Sequence, residues 1–347
     1  MKGRQIMLGR IFGREAAALL VDGRLEDLVI DPGECVDFAP GAILRGKVNR
    51  LMKGQGGVFV TLPGGVSGYL RDRSGLREGQ MVLAQVSGVA ESGKALPLSG
   101  RLLIRGRHGI ATPGAPGVNV SRAIRDPARR EALQALGVAA LAGRDCGLIL
   151  RSAAEHAGDD EIGAELGELT DIAAAIAGDL NGPPQLLLDA PSPADTAWRD
   201  WADPSPDDII DGGGDLSEHL GDALRGLLSD EIPLPGGAFA AIEPTRALIA
   251  VDVNTGRDTT PAAGLKANIA LARELPRQLR LRGLGGQVVV DFAPIPKRDR
   301  GTLEQELKKA FRAEGPDAVL SGWTNLGLFE LTRKRDRIPL SLLTGTP

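Results

Sequence analysis

The final third of this 347-residue chain holds the pattern that most limits its fold: a strand, a helix and a second strand in direct succession. RALIAVDV (246–253) and GQVVVDF (286–292) read as buried strands, and AGLKANIALARELPRQLRLRG (263–283) between them reads as a helix. This order predicts a parallel pair with a right-handed crossover, because parallel neighbours need a long connection. Pro276 removes a backbone donor and crowds the preceding turn, which predicts a kink inside that helix. Each apolar run reaches an aspartate at its C-terminal end, Asp252 and Asp291. Adjacent strands lie about 4.8 Å apart, so the two carboxylates are expected on one edge of the sheet.

A carboxylate pair placed this way suits magnesium, a hard cation typically held by one or two carboxylates, with sites left for water and a substrate phosphate. Such a metal polarises a phosphate and lowers the pKa of a bound water, so no Ser, Cys or His nucleophile is required. Asn254, two residues past Asp252, shares its face if the strand continues, and its amide can bond a phosphate oxygen without adding negative charge. The competing reading of either aspartate alone is a turn or cap residue. PKRDR and TRKRDR follow the second strand and offer Lys297, Arg298 and Arg333 to a phosphate backbone, although a basic run by itself is ordinarily a solvated face.

Upstream, EAAALLVDGRLEDLVID (15–31) reads as a hairpin turned at Asp22-Gly23. GAILRGKVNRLMKGQGGVFVTLPGGVSGYL (41–70) and GQMVLAQVSGV (79–89) are short β-rich runs between Gly-rich turns, the pattern of a small closed barrel of OB type. A mixed unit follows over 101–153, with a helix at RDPARREALQALG (125–137) that Gly137 is expected to stop. The helical stretches EIGAELGELTDIAAAIAGDL and LSEHLGDALRGLL lie either side of PSPADTAWRDWADPSPDDIIDGGGD, whose composition predicts a loop or linker. TLEQELKKAFRAE predicts another helix and LGLFELTRKRD a last basic element.

The net charge of −4 argues against a nucleic-acid partner until it is resolved by segment. Residues 1–153 carry 22 Lys and Arg against 13 Asp and Glu, and residues 246–347 carry 17 against 11. Both ends are basic, and the sum is masked by residues 154–232, where 20 acidic residues face only Arg199 and Arg225. Cys35 and Cys146 form no CxxC and there are three histidines, so neither a disulfide framework nor a zinc site is expected. No apolar run is long enough for a signal peptide or membrane span, and a reducing cytoplasm is the expected setting.

At the aspartate pair the chain resembles the ribonuclease E/G family. TRALIAVDVNTGR (245–257) is similar to the family's alxaIDvNsGr element, and RQLRLRGLGGQVVVDF (277–292) to its RQLRLRdlGGlIviDF element. The resemblance implies that Asp252 and Asp291 bind magnesium and that Asn254 helps position the scissile phosphate. RGKVNRL (45–51), GGVFVTLPGGVSGYL (56–70) and REGQMVLAQV (77–86) are similar to the family's S1-type RNA-binding domain. This implies base stacking on Phe59 and Tyr69 and a functional role for Lys94; the alternative for the two aromatics is plain barrel core. LILRSAA (148–154) is similar to the 5′-sensor motif, with Arg151 and Ser152 at the positions that grip a 5′-terminal monophosphate; the alternative for Arg151 is a surface ion pair.

The implied architecture is an α/β multi-domain chain. Residues 1–40 and the acidic 161–232 form an RNase H-like scaffold, 41–100 an inserted S1-type OB barrel, 101–160 the 5′-sensor region and 233–347 a deoxyribonuclease I-like catalytic unit. The implied activity is a Mg2+-dependent endoribonuclease, with Mn2+ as the alternative metal. It would hydrolyse single-stranded RNA to 5′-phosphate and 3′-hydroxyl ends, respond to a 5′-monophosphate, and serve rRNA processing or mRNA decay.

The chain departs from the family in four places. The CPxC zinc-link is missing, so no zinc is expected and any oligomer should form by other means. Pro294 stands where the family has a third acidic residue, and NLGLFELTRKR (325–335) has Asn325 and Leu326 in place of Arg and Phe. The stretch between sensor and catalytic block is short and acidic. Two competing functions remain: a non-catalytic RNA-binding protein that keeps the fold, and a phosphodiesterase acting on DNA or a small nucleotide.

Overall fold

The computed structural model describes residues 3–51, 56–71, 75–258, 260–315 and 317–344; positions 52–55 of the barrel run and the last three residues of the chain lie outside these. The fold is mixed α/β and divides into two compact units, Met7–Cys35 with Asp211–Pro347, and Gly3–Ile6 with Val36–Ile210.

The chain opens with a meander of β1 (Arg4–Ile11), β2 (Arg14–Val21) and β3 (Arg24–Ile30). Asp22 and Gly23, at φ 51° and 76°, make the β2–β3 turn that the sequence predicts. Phe12 and Gly13, at φ 54° and 77°, make the corresponding turn after β1 without a recognisable signature. β4 (Ile43–Leu51), β5 (Val58–Thr61), β6 (Ser67–Leu70), β7 (Met81–Val86) and β8 (Leu96–Ser99) then close into an OB-like barrel, ordered β4-β5-β6-β8-β7 and sealed by the β4–β7 pairing. Val48, Val58, Val60, Leu70, Ala84 and Leu98 fill its interior.

A small sheet follows, ordered β11-β12-β10-β9, from β9 (Ile104–Arg105), β10 (Gly109–Pro113), β11 (Gly117–Val120) and β12 (Cys146–Leu150). It shares a core with α1 (Pro127–Leu141) and α2 (Asp159–Gly178) through Leu133, Leu148, Leu150, Ile162 and Leu166. The expected stop at Gly137 is wrong: α1 runs on to Leu141 and ends at Ala142, in the left-handed region. Gly137 is a packing glycine, since a Cβ there would sit 2.6 Å from Val118 and 3.3 Å from Leu150.

β13 (Gln185–Leu188) pairs with the first residues of β4 and so extends the barrel sheet. Arg45 of β4, 2% exposed, anchors this edge. Its guanidinium donates to Pro183 O and Gln185 Oε1, each at 2.8 Å, and pairs with Asp179 just past α2.

The expected linker is instead structured. It holds α3 (Pro193–Asp200), whose start is set by Pro193 at the first helical position and a reciprocal Ser192–Asp195 capping box, and which buries Ala197. Beyond it, β14 (Asp208–Asp215) pairs with β1 to give a sheet ordered β14-β1-β2-β3. Edge pairing, rather than an apolar pattern, makes DIIDGGGD a strand.

The remaining chain is α4 (Ser217–Leu228), β15 (Glu231–Pro233), β16 (Phe239–Pro244), β17 (Ile249–Asn254), α5 (Pro261–Leu281), β18 (Gly286–Asp291), α6 (Lys297–Glu314), β19 (Ala318–Trp323), β20 (Phe329–Arg333) and α7 (Leu340–Leu343). Its six strands are ordered β15-β16-β17-β18-β20-β19, and β17 and β18 are parallel as expected. Val251, Val253, Val288, Val290, Phe329 and Leu331 share one core with Leu271, Leu275, Leu279, Leu303 and Leu307 of α5 and α6. α5 continues unbroken through Pro276. No helix among the described residues is long and apolar enough to cross a membrane.

Candidate active site

Strand alternation sorts the residues of β17 and β18. Val251, Val253, Val288 and Val290 point into the helix-covered core, which sends Asp252 and Asp291 to the opposite, uncovered face, where both are exposed. The pairing register sets Asp252 directly beside Asp291. In parallel strands such partners are about 4.8 Å apart, within range of a single cation. Asn254 lies on the same face and its Nδ2 donates to Asp252 Oδ2 at 2.8 Å. Its amide thus orients the carboxylate, and its second N–H is the donor left for a phosphate. Past β17, an open cleft of about 630 Å3 is lined by Gly236, Gly237, Gly256, Arg257, Asp258 and Thr260.

The donor chemistry fits a hard divalent ion, since the converging groups are oxygen donors that bring charge. Among the described residues no group of three or more His, Cys, Asp and Glu is placed to hold a metal. An ion held by two carboxylates would take the rest of its coordination from water and a substrate phosphate.

On the barrel, Val58 and Val60 point inward, so Phe59 between them points outward; Gly68 and Leu70 do the same for Tyr69. The two aromatics are register partners, half-buried, with ring centroids 5.6 Å apart. The Tyr69 hydroxyl donates to Gly56 O at 2.6 Å. They form a surface platform outside the barrel core. Lys94 is exposed in the loop before β8 and pairs with Glu91 at 2.8 Å.

Sequence comparison places these features in a known group: the profile of the Ribonuclease E/G family matches residues 103–220 and 216–336. This chain belongs to the ribonuclease E/G family. It is 31% identical over 296 residues to Ribonuclease E of Nostoc sp. (strain PCC 7120 / SAG 25.82 / UTEX 2576), a match covering 74% of this chain and 43% of the relative. It is 26% identical over 395 residues to Ribonuclease G of Escherichia coli (strain K12), covering 95% of this chain and 80% of the relative. A match to Ribonuclease E of Synechocystis sp. (strain ATCC 27184 / PCC 6803 / Kazusa) covers 77% of this chain and 46% of the relative. The chain thus spans less than half the length of these ribonuclease E relatives.

In this ribonuclease E/G family member, Arg151 follows β12 and its guanidinium is held from three sides. It donates to Gly106 O at 2.7 Å, Arg199 O at 3.2 Å and Asp200 Oδ1 at 2.8 Å. Burial acts to raise the Asp200 pKa, but hydrogen bonds and charge from Arg199 and Arg151 outweigh it and hold the carboxyl below its usual value. Ser152 is exposed beside Arg151. Lys297 and Arg298 are exposed in the first turn of α6.

Arg333 is not on the surface expected of an RNA contact. It is 6% exposed, donates to Leu284 O at 3.1 Å and pairs with Asp336 at 3.4 Å. Alternation along β20 explains this, since Arg333 shares the inward face with Phe329 and Leu331. Leu326, in place of the family's Phe, is 90% exposed in the β19–β20 hairpin.

Asn268 is a positioning residue that the sequence reading missed. Fully buried in α5, it donates to Ala293 O at 2.8 Å and accepts from Ala293 N at 3.0 Å, fixing the backbone two residues past Asp291. An amide among the apolar residues of ANIALA was the available signal.

Proposed function

We propose that this chain is a magnesium-dependent endoribonuclease that hydrolyses single-stranded RNA, leaving 5′-phosphate and 3′-hydroxyl ends. The observation that carries this reading is the register of Asp252 beside Asp291 on the uncovered face of a parallel pair, in a chain of the ribonuclease E/G family. Asp252 and Asp291 are the residues that would hold Mg2+, or Mn2+ in its place. Bound there, the ion supplies Lewis-acid polarisation of the phosphate and a water of lowered pKa. Asn254 keeps the Asp252 carboxylate in one orientation without adding charge. Asn268 holds the segment after Asp291 in place. Lys297 and Arg298 offer charge to the RNA backbone, and Phe59 and Tyr69 offer ring faces to unpaired bases, worth roughly 1 to 3 kcal/mol per stacked base.

The reading extends to the domain parts. An RNase H-like scaffold over 1–40 and 161–232, a sensor region at 101–160 and a deoxyribonuclease I-like unit at 233–347 are the assignments that the family resemblance favours. Arg151 and Ser152 would grip a 5′-monophosphate, with the Asp200 carboxylate giving way to the phosphate as partner of Arg151.

Two measurements test these statements. A fluorescent 5′-monophosphorylated single-stranded RNA is expected to be cut in the presence of magnesium, left intact with excess EDTA, and cut again when Mg2+ or Mn2+ is restored. Binding without cutting across all metal concentrations would make the chain a non-catalytic RNA-binding protein, and equal competition by DNA would move the substrate class. Arg151→Ala is expected to erase the preference for 5′-monophosphate over 5′-hydroxyl RNA while slow cleavage persists. An equal loss on both substrates would reject the sensor role.

A further inference from the structure

We propose that Phe239 is a base-stacking residue of the catalytic unit, placed to receive an unpaired nucleobase beside the cut. The inference rests on the endoribonuclease reading above and adds to it a contact that selects single-stranded RNA.

Strand alternation puts Phe239 on the face that carries the aspartates. Its neighbours on β16, Ala240 and Ile242, are buried in the helix-covered core, so Phe239 and Ala241 point the other way. The other three phenylalanines of residues 211–347, Phe292, Phe311 and Phe329, all belong to that core, and Phe239 does not. Its ring is half-buried and, among the described residues, pairs with no other aromatic ring.

Register places the ring beside the site. Phe239 is the direct partner of Asn254, and Ala241 is the direct partner of Asp252, which itself lies opposite Asp291. Directly opposed residues of antiparallel strands share a face, with Cβ atoms about 4.5 to 5.5 Å apart, and diagonal neighbours are about 7 to 8 Å apart. Phe239 therefore adjoins Asn254 and stands one diagonal from Asp252. Ala241, between the ring and that carboxylate, is too small to screen one from the other.

The backbone beyond the ring is bare. Past the Phe239 and Asn254 pair the two segments meet at Gly237 and Gly256, where a Cβ on Gly256 would lie 2.6 Å from Gly237 O. Both glycines have left-handed φ values, 78° and 66°, which other residues reach only with strain. They help line the open cleft of about 630 Å3 described above. With a phosphate at Asp252 and Asp291, the attached nucleoside can reach over this glycine floor and lay its base against the Phe239 ring. Every base has a π-face, so such a contact tolerates any sequence. A base inside a duplex already has both faces stacked, so only unpaired RNA can make it.

The test uses the whole chain carrying Asp291→Asn, which permits binding without cutting, and a single-stranded RNA whose cut site has been mapped with the active chain. One nucleotide at a time is made abasic, which removes the base and keeps the phosphate, and affinity is read by fluorescence anisotropy. Phe239→Leu is expected to weaken binding of the intact RNA about fivefold to a hundredfold. The slope of log affinity against log salt should stay unchanged, because no phosphate contact is lost. The decisive result is a nucleotide flanking the cut whose base removal costs affinity in the parent and costs nothing in the Phe239→Leu variant. Phe239→Ile, an apolar side chain suited to a strand, decides the matter in the same way if Phe239→Leu fails to fold. An equal loss at that nucleotide in the parent and either folded variant, or no loss at either flanking nucleotide in the parent, would overturn the assignment while leaving the endoribonuclease reading intact. Failure of the active chain to cut any single-stranded RNA would overturn both.

Discussion

Replacement of Asp291 by asparagine is expected to lower cleavage of single-stranded RNA about a thousandfold, roughly 4 kcal/mol of barrier, and Asp252→Asn should do the same. Asparagine keeps the shape of the side chain and removes the charge on which a divalent ion depends. Both positions are exposed on the uncovered face of the sheet, so neither change should disturb the core beneath. The sign of the effect on binding separates this prediction from simple damage: removing a negative charge beside a phosphate should leave RNA affinity unchanged or slightly tighter. Single-turnover cleavage and anisotropy on the same preparations measure the two quantities. Cleavage within tenfold of the parent in both variants would remove the aspartate pair from the mechanism.

The largest expected effect on stability lies away from that site, at Arg282. This residue is 7% exposed, and burial lowers its pKa to about 10 against the opposing pull of Asp230 and Glu274. Its guanidinium donates to the carbonyls of Gly226, Leu227 and Ser229 at the end of α4, and to Gln278 Oε1. Arg282→Met keeps much of the volume but takes the donor from the buried Leu227 carbonyl and from the part-buried carbonyls of Gly226 and Ser229. A loss of about 1 to 3 kcal/mol in unfolding free energy follows, with activity per folded molecule nearly unchanged. Urea denaturation followed by cleavage assays on the folded fraction would check it, and a loss below about 1 kcal/mol would mean that the carbonyls find other donors.

The strand, helix and strand around Asp252 and Asp291 were legible because their apolar runs are long and their order admits few topologies. The OB-like barrel was legible from short β-rich runs between glycine turns. What was hidden depended on partners distant in sequence. DIIDGGGD has no pattern of its own and becomes a strand only beside β1. Gly137 looked like a helix stop because Val118 and Leu150, which need its missing side chain, are far away in the chain. Arg333 was misread for a different reason: its position in a basic run outweighed the alternation with Phe329 and Leu331 that points it inward. The same alternation rule, applied to Val58, Phe59 and Val60, would have placed Phe59 on the barrel surface. Asn254 shows the finer limit, since a sequence can put an amide on the right face but cannot say that it bonds Asp252.

The setting of Arg45 bears on how freely the barrel can be exchanged between proteins. Its charge lies inside, satisfied by Asp179, Pro183 and Gln185, all of which enter the chain long after the barrel strands are complete. A fragment cut at residues 41–100 would keep the arginine and discard every one of those partners. The barrel is therefore no detachable cassette. Its boundary in space runs through α2 and β13, and a graft that respects only the linear boundary would carry an unpaired cation into its new host.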